Sequence, residues 1–342
     1  MLNLRDLTVL ECPTENDYDG NIGLRISSVF VILIGSAIGV FFPVIASRST
    51  FIKMPWYVLF VAKFFGSGVI ISTAFIHLLA EAHDSLSTPC LGGVFVKYPW
   101  AFAICLMSLF AVFLSELLAH NSIDEKIAKL NEEIASGKFD QELGFIKKDD
   151  EELIQEEIEK SSSCQISNNE QQNAKDNESY YGKLLSIFIL EFGILFHSVF
   201  VGLTLAVSGD QFITLYIVLI FHQMFEGFGL GARIATTNFG SHTWTPWIFC
   251  IAFSFITPVA IATGLGVRTS YPPGGRTNLI TRGVFDSISA GVLIYTSLVE
   301  LMAHDFLYGD EFKVKNGFKK KLLAFFVMSL GCGLMALIGN WA

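Results

Sequence analysis

Long apolar runs alternate with short polar stretches along the chain, and one longer polar stretch interrupts them near the middle. A bilayer core of about 30 Å needs roughly 20 apolar residues in a helix to cross it. Eight runs reach that length, at residues 26–47, 57–80, 99–119, 184–207, 212–235, 245–267, 284–306 and 321–339. The pattern therefore predicts an all-α, polytopic membrane protein with eight transmembrane helices.

The spacing of the runs divides the spans into groups. Three spans (26–119) precede a polar stretch of about 64 residues (120–183), two spans (184–235) follow it, and three more (236–342) complete the chain. The turn Ser208–Gln211 is so short that the chain must reverse there, so spans four and five are predicted to form a central antiparallel pair. This 3+2+3 arrangement is compatible with two three-helix units of opposite orientation on either side of the pair.

The composition is typical of a membrane protein, since 52% of the residues are hydrophobic and 16% are charged, with the charges concentrated in residues 120–183. That stretch is rich in Glu, Asp, Lys, Ser, Asn and Gln and nearly free of aromatic residues before Tyr180. It predicts a largely disordered acidic loop, with a short surface helix at 122–135. The formal net charge of −9 comes mainly from this loop. No nucleic-acid partner is expected for an acidic chain.

The distribution of Lys and Arg predicts which side of the membrane each segment faces. If the N-terminus is outside, the inner connections contain sixteen Lys and Arg residues and the outer segments contain six. Positive residues are enriched on the cytoplasmic side of membrane proteins. Both termini are therefore predicted to lie outside, with residues 1–25 as an extracellular tail and residues 120–183 as a cytosolic loop. Residues 1–24 do not have the pattern of a secretory signal, so the first span is expected to direct insertion.

The six cysteines do not indicate a metal site. Three lie in predicted spans, one lies in the polar loop, and the chain contains no CxxC pair. A thiolate metal centre or a disulfide scaffold is therefore not expected. Cys12 and Cys90 both fall in predicted outer segments, where they could form a disulfide or stay as free thiols.

The central pair carries a histidine in the interior of each span. His197 lies ten residues before the end of span four, and His222 lies ten residues after the start of span five. At 1.5 Å per residue, both are roughly 15 Å from the outer surface, about halfway across the bilayer. Ionisable groups in hydrocarbon are costly, so two of them at one level indicate a site between the helices.

Further polar residues accompany these histidines. His222 and Glu226 are four residues apart and share a helix face, with Gln223 beside them, and Ser198 adjoins His197. Neutral imidazole and carboxylate are ligands that Zn²⁺, Fe²⁺ and similar divalent ions accept. The sequence therefore predicts a metal site in the middle of the membrane.

Other histidine and acidic residues recur near span ends, often four residues apart. The predicted orientation places one group on the outer side: His77, Glu81, His83, Asp210 and Asp286. It places a second group at the inner ends of spans three and seven: Glu116, His120, Glu300 and His304. Such residues could line an entrance and an exit for an ion, or could simply be solvated by water and lipid headgroups.

Two segments of the central pair resemble a known family. HSVFVGLTLAV, preceded by EFG, and HQMFEGFGLGARIA are similar to the fourth and fifth transmembrane helices of the ZIP (Zrt/Irt-like) metal transporters, in particular the fungal zinc and plant iron branch. The resemblance implies uptake of divalent metal toward the cytosol. It implies His197, His222 and Glu226 as ligands at the transport site, with Ser198 and Gln223 as supporting polar groups. It also implies an outer capture site that includes His77.

The chain departs from the family pattern at two places. Many members carry an acidic residue four positions after the first histidine, where this chain has Val201, and this favours one central ion position over two. Many members also have a histidine-rich loop between spans three and four. No histidine occurs here from Asn121 to Gly182, so metal sensing by loop histidines is not expected.

Two functional hypotheses follow. The first is a transporter of divalent metal, Zn²⁺ foremost, that works by alternating access around the His/His/Glu set; Fe²⁺, Mn²⁺ and Cd²⁺ accept the same ligands. The alternative is an intramembrane zinc-dependent hydrolase that acts on lipid. A hydrolytic zinc site usually has three protein ligands and an open position, and the chain contains no HExxH motif.

The transporter hypothesis carries further expectations. Its partners are the metal ion, as substrate, and the lipid bilayer, and neither an enzymatic activity nor a prosthetic group is expected. The plasma membrane suits an importer best, with a vacuolar or other internal membrane as the alternative. The sequence leaves open whether two copies form a homodimer.

Overall fold

A computed structural model describes residues 11–16, 18–48, 55–135, 184–237, 239, 242–307, 312–313 and 317–341. These residues contain helices and no strand. Eight of the described helices are long and apolar enough to cross a membrane. They are α1 (Ile22–Arg48), α2 (Tyr57–Ser87), α3 (Trp100–Ala135), α4 (Leu184–Val207), α5 (Phe212–Thr236), α6 (Thr245–Gly266), α7 (Arg276–Leu307) and α8 (Gly317–Ile338).

The predicted all-α class and the eight spans are confirmed, whereas several helix ends lie elsewhere. Helix α1 begins at Ile22, four residues before the predicted start, and α2 continues to Ser87 instead of ending at residue 80. Helix α7 begins at Arg276 rather than at 284. Charged residues at these ends lower the hydropathy, although the backbone there remains helical. The 3+2+3 grouping and the disorder of the acidic loop stay predictions.

Helix α3 is longer than its predicted span. It continues without a break to Ala135, so the stretch 122–135, which was expected to form a separate surface helix, belongs to α3. The rest of the predicted loop, 136–183, lies outside the described residues.

Helix α5 packs against α1 and α2, and α1 also packs against α6. Small residues allow these close approaches, as is common between membrane helices. Gly229 of α5 faces Gly66 of α2, and a Cβ on Gly229 would lie only 2.9 Å from the Gly66 carbonyl oxygen. In the same way, Gly202 of α4 lies against α6 and Gly193 of α4 lies against α7.

Two of the spans contain a π-helical segment. Thr73–Leu79 in α2 and Ser297–His304 in α7 have π-helical hydrogen bonding, and each is flanked by α-helix. Such segments are rare and often occur at functional sites. The first contains His77 and the second contains Glu300.

One end of the bundle, which we call the turn end, is where the short turn joins α4 to α5. Buried Arg25 of α1 lies there and donates hydrogen bonds to the carbonyl oxygens of Leu205 and Ala206, at 3.3 and 3.0 Å. It also pairs with Asp19, at 2.6 Å. A cation at a helix C-terminus satisfies the last carbonyl groups and interacts favourably with the helix dipole. Arg25 therefore fixes the end of α4 against α1.

The N-terminal tail is fastened at the same turn end. Cys12 forms a disulfide with Cys90, which follows α2, so the first of the two alternatives for these cysteines is confirmed. Asn16 donates hydrogen bonds to the carbonyl oxygens of Arg268 and Tyr271, in the connection after α6, at 2.5 and 2.9 Å.

Many large apolar side chains point away from the bundle. On α3, Phe102, Leu106 and Phe110 are each about half exposed, and Phe325 and Phe326 of α8 are similar. Extended apolar surface of this kind is unfavourable in water and favourable in lipid. The chain is therefore a multi-pass membrane protein.

Candidate metal centre

A cavity of about 320 Å³ leads from the turn end into the bundle. Asp84 of α2 and Gln211, just before α5, line its exposed part. Three buried histidines, His77, His197 and His222, line its deep part. The cavity therefore connects the surface at the turn end with the interior of the bundle.

The three histidines come from three different helices and lie close together. The ring centroids of His197 (α4) and His222 (α5) are 6.0 Å apart, so the structure brings together the two histidines that depth counting put at one level. The ring of His77 (α2) meets that of His222 edge to face, with centroids 4.7 Å apart. Each of the three is less than 5% exposed.

Glu226 lies one helical turn beyond His222 and is 1% exposed. Its Oε1 atom is 3.4 Å from His222 Nε2. Both carboxylate oxygens of Glu226, the Gln223 amide nitrogen and the Ser198 hydroxyl are buried without a hydrogen-bond partner among the described residues. Buried polar atoms normally have such a partner, so unused hydrogen-bonding and ligand capacity is concentrated at the predicted transport site.

His197 also contacts a carboxylate from α7. Its Nδ1 atom lies 3.4 Å from Asp286 Oδ1, and its Nε2 atom is buried without a hydrogen-bond partner in the described chain. Asp286 Oδ2 lies 3.4 Å from the Nε atom of Arg282, and Arg282 in turn forms an ion pair with Glu81 of α2. These contacts connect α4, α7 and α2 through His197, Asp286, Arg282 and Glu81, and all of these except Asp286 line the cavity.

The present side-chain positions do not form a closed metal cage. Among the described residues, no three His, Cys, Asp or Glu side chains are close enough together to hold an ion. Two imidazoles that share a tetrahedral Zn²⁺, each with a Zn–N distance of about 2.1 Å, have ring centroids roughly 5 Å apart. The 6.0 Å between His197 and His222 exceeds that by about 1 Å, which a small change of side-chain torsion can supply.

The residues predicted at the outer entrance lie in different surroundings in the structure. His77 lies deeper than predicted, in contact with His222 instead of at the end of its span, because α2 continues to Ser87. Glu81 does line the cavity, but it is paired with Arg282.

The other two residues predicted at the entrance, His83 and Asp210, are not part of the cavity wall. His83 packs against the ring of Phe102, with centroids 5.2 Å apart, and Asp210 is exposed in the turn after α4.

The opposite end of the bundle, which we call the far end, carries a network of ion pairs. Arg233 at the end of α5 donates hydrogen bonds to Glu300 (3.3 Å) and Asp305 (3.4 Å) of α7. Asp305 also lies 3.3 Å from the ammonium group of Lys63 in α2, and Ser186 of α4 donates a hydrogen bond to Glu300. These contacts join four helices across the far end.

Glu300, one of the residues predicted at the exit, thus forms an ion pair with Arg233. His304 is 66% exposed, and its Nδ1 atom lies 4.0 Å from Asp305 Oδ1, at the edge of that network. Glu116 of α3 is half-buried. The side chain of His120 falls outside the described part of the chain.

Several candidate functional residues could not be identified from the sequence. Arg282, Arg233 and Asp305 were not considered as members of a site, and Asp286 was placed at the outer mouth although it is fully buried. The available signal was the four-residue spacing of Arg282 and Asp286, which puts both on one face of α7. The partners on other helices could not be recognised from spacing along one chain segment.

The known proteins to which this chain is similar are zinc transporters. A family profile described as "ZIP Zinc transporter" matches residues 22–339. Zinc-regulated transporter 2 of Saccharomyces cerevisiae is 41% identical, over 99% of this chain and 99% of that protein. Zinc-regulated transporter 1 of Schizosaccharomyces pombe is 37% identical, over 96% of this chain and 87% of that protein. Zinc transporter 3 of Arabidopsis thaliana is 32% identical, over 97% and 89% respectively.

The family match covers all eight spans and includes both helices of the central pair. It also agrees with the resemblance seen in the two histidine-containing segments. The chain therefore belongs to the ZIP family of zinc transporters.

Proposed function

We propose that this protein carries divalent transition metal ions, Zn²⁺ foremost, across a membrane toward the cytosol. The observation that supports this most is the group of buried histidines at the deep end of the cavity, with Glu226 one turn beyond. In this proposal His197, His222 and Glu226 bind the ion during transport. Ser198 and Gln223, which are buried with unpartnered polar atoms, supply additional weak ligands or hold water on the ion.

The ligand types suit transport because the ion must bind and then leave. Imidazole and a single carboxylate bind Zn²⁺ firmly enough to replace part of its water shell. A closed set of thiolates would instead hold the metal as a structural ion. Fe²⁺, Mn²⁺ and Cd²⁺ accept the same donors, so we expect them to compete with Zn²⁺. The similar proteins from Saccharomyces cerevisiae and Schizosaccharomyces pombe are zinc-regulated transporters, and this favours zinc as the main substrate.

Family membership makes this chain a transporter rather than the lipid hydrolase that the sequence left as the alternative. Hydrolysis would also need a dedicated base for an activated water. The polar atoms nearest to Ser198 in sequence belong to His197, which the transport site already uses. We therefore assign the histidines to binding.

The arrangement of the two ends fits alternating access. The turn end has a cavity that reaches the histidines, and the far end is joined by the network of Arg233, Glu300, Asp305 and Lys63. In this proposal the structure corresponds to the state open at the turn end. Transport then requires the far-end network to separate while the turn end closes.

We further propose that the turn end and both termini face outside, at the plasma membrane, with the protein as a monomer or a homodimer. The disulfide between Cys12 and Cys90 favours this orientation, because disulfides persist on the oxidising side of a membrane. The excess of Lys and Arg in the opposite connections favours it independently. An ion entering the cavity from outside would then move toward the cytosol.

The proposal is tested by uptake of labelled zinc in cells that express the protein, with unlabelled Fe²⁺, Mn²⁺ and Cd²⁺ as competitors. We expect saturable zinc accumulation that His222→Ala abolishes. His83→Ala is the matched control, because His83 is a histidine of α2 that packs on Phe102 away from the cavity. Uptake by His222→Ala at the parental rate, with equal protein at the cell surface, would contradict the site assignment. Zinc export without import would contradict the direction.

A further inference from the structure

Asp286 has no role in the proposal so far, although its surroundings are unusual. It is a carboxylate of α7 with 0% exposure, in a protein whose interior is apolar. One oxygen faces His197 at 3.4 Å and the other faces Arg282 at 3.4 Å. A buried charge is retained only where partners compensate its lost hydration. The arginine compensates the oxygen that faces it, and the second oxygen is directed at the histidine.

The contact with His197 determines which of its nitrogens can bind a metal. A neutral imidazole has one N–H group and one nitrogen with a free lone pair. An ionised carboxylate can accept a hydrogen bond but cannot donate one. In the contact with Asp286 Oδ1, the hydrogen is therefore on His197 Nδ1, which donates it. The lone pair is then on Nε2. That atom is buried and has no hydrogen-bond partner among the described residues, as a nitrogen reserved for an ion would be.

Arg282 keeps Asp286 in this supporting position. Its guanidinium lies between Asp286 of its own helix and Glu81 of α2, so two carboxylates share one cation. Because Asp286 Oδ2 faces the arginine, Oδ1 is the oxygen that is directed at His197. This differs from the sequence-based expectation, in which Asp286 offered acidic charge at the outer mouth.

We propose that Asp286 is a positioning residue for the transport site: it fixes the tautomer and the ring orientation of His197 so that Nε2 faces the ion. This inference rests on the proposed role of His197 as a ligand. Outer partners of metal-binding histidines typically change metal affinity by about 10- to 100-fold when they are removed. Their effect appears in binding of the ion and depends on the histidine that they hold.

The test measures zinc uptake and zinc binding for Asp286→Asn and for Asp286→Ser. In Asp286→Asn the amide nitrogen can donate to Nδ1 and favour the wrong tautomer, and Asp286→Ser removes the carboxylate in a smaller side chain. Both variants should raise the KM for zinc uptake about 10- to 100-fold with a smaller change in maximal rate. The Kd for Zn²⁺ of the purified protein should rise by the same factor. Ser289→Ala, at another buried position of α7, should leave both constants unchanged.

A second set of variants separates positioning from a purely structural effect. In a His197→Ala background, Asp286→Asn should weaken zinc binding no further, because the residue acts through the imidazole. Additive losses in the double variant, or single variants with parental KM and Kd, would overturn the inference. If His197→Ala alone binds and transports zinc normally, the proposed transport site fails as well. A loss in His197→Ala with no effect of Asp286→Asn or Asp286→Ser would refute only the role of Asp286.

Discussion

Replacing Arg233 by glutamine removes two ion pairs at the far end of the bundle without a large change in side-chain size. The guanidinium lies 3.3 Å from Glu300 and 3.4 Å from Asp305. Arg233 and Glu300 are about one-fifth exposed, so water screens their attraction in part, whereas Asp305 is only 8% exposed. The variant leaves both carboxylates of α7 without this cation.

The expected magnitude follows from these contacts. A hydrogen bond to a charged group contributes about 1.5 to 3 kcal/mol when it is well buried, and an exposed ion pair contributes about 1 kcal/mol or less. For two partly screened pairs we expect a net loss of about 2 kcal/mol in the stability of the closed far end. Since about 1.36 kcal/mol corresponds to a factor of ten, opening should become roughly 30-fold more favourable.

Hydrogen–deuterium exchange of the purified protein measures this opening. Amides of the segment 297–304, which contains Glu300, should exchange up to roughly 30-fold faster in Arg233→Gln, because exchange there follows local opening. Amides of 80–87, at the turn end of α2, should be unchanged. Lys319→Gln is the matched control, since it removes an exposed cation at the start of α8. Equal acceleration in both segments would indicate general destabilisation, and no acceleration at 297–304 would refute the closing role of the network.

Two further predictions concern the helices around the site. His77→Ala should raise the KM for zinc uptake at least about tenfold, because the His77 ring lies against His222. His83→Ala should leave the KM unchanged. Equal effects of the two substitutions would place His77 outside the ion path. Gly229→Ala should destabilise the protein by about 1 to 3 kcal/mol, because the added Cβ would meet Gly66, and this should lower its thermal unfolding midpoint in detergent. Gly333→Ala, which has open space around it, should leave the midpoint unchanged, and the same result for Gly229→Ala would contradict the close helix packing.

The membrane architecture could be predicted because its physical cause is local. Each span needs enough consecutive apolar residues to cross hydrocarbon, and that requirement is visible in a single sequence. The two central histidines could be predicted for the converse reason, since an ionisable residue inside such a run is costly. Counting residues from the short turn then gave their common depth, and the structure places their rings 6.0 Å apart.

The depth of His77 could not be predicted in the same way. Hydropathy falls at Glu81 and Asp84, so a count of apolar residues ends the span at 80 and places His77 near the surface. In the structure these acidic residues line the cavity, where the polar environment tolerates them, and α2 continues to Ser87. Hydropathy alone does not distinguish a residue that lines an internal cavity from one at the membrane surface.

The ion pairs that connect helices could not be predicted either, because their partners lie in distant segments of the chain. Asp286 contacts a histidine 89 positions earlier, and Arg233 contacts Glu300, 67 positions later. Which residues meet depends on how the helices pack, and that depends on contacts such as those between Gly229 and Gly66. The sequence supplied the residues of the central pair, while the tertiary structure supplied their partners.

Zinc flux into sealed vesicles that contain only the purified protein tests the central claim most directly. With an inward zinc gradient, the parent protein should produce saturable accumulation of zinc, measured with an enclosed fluorescent indicator. His222→Ala at the same protein density should reduce the flux to that of empty vesicles, and His83→Ala should retain it. Parental flux through His222→Ala, or no flux through the parent protein, would contradict transport through the buried histidine site.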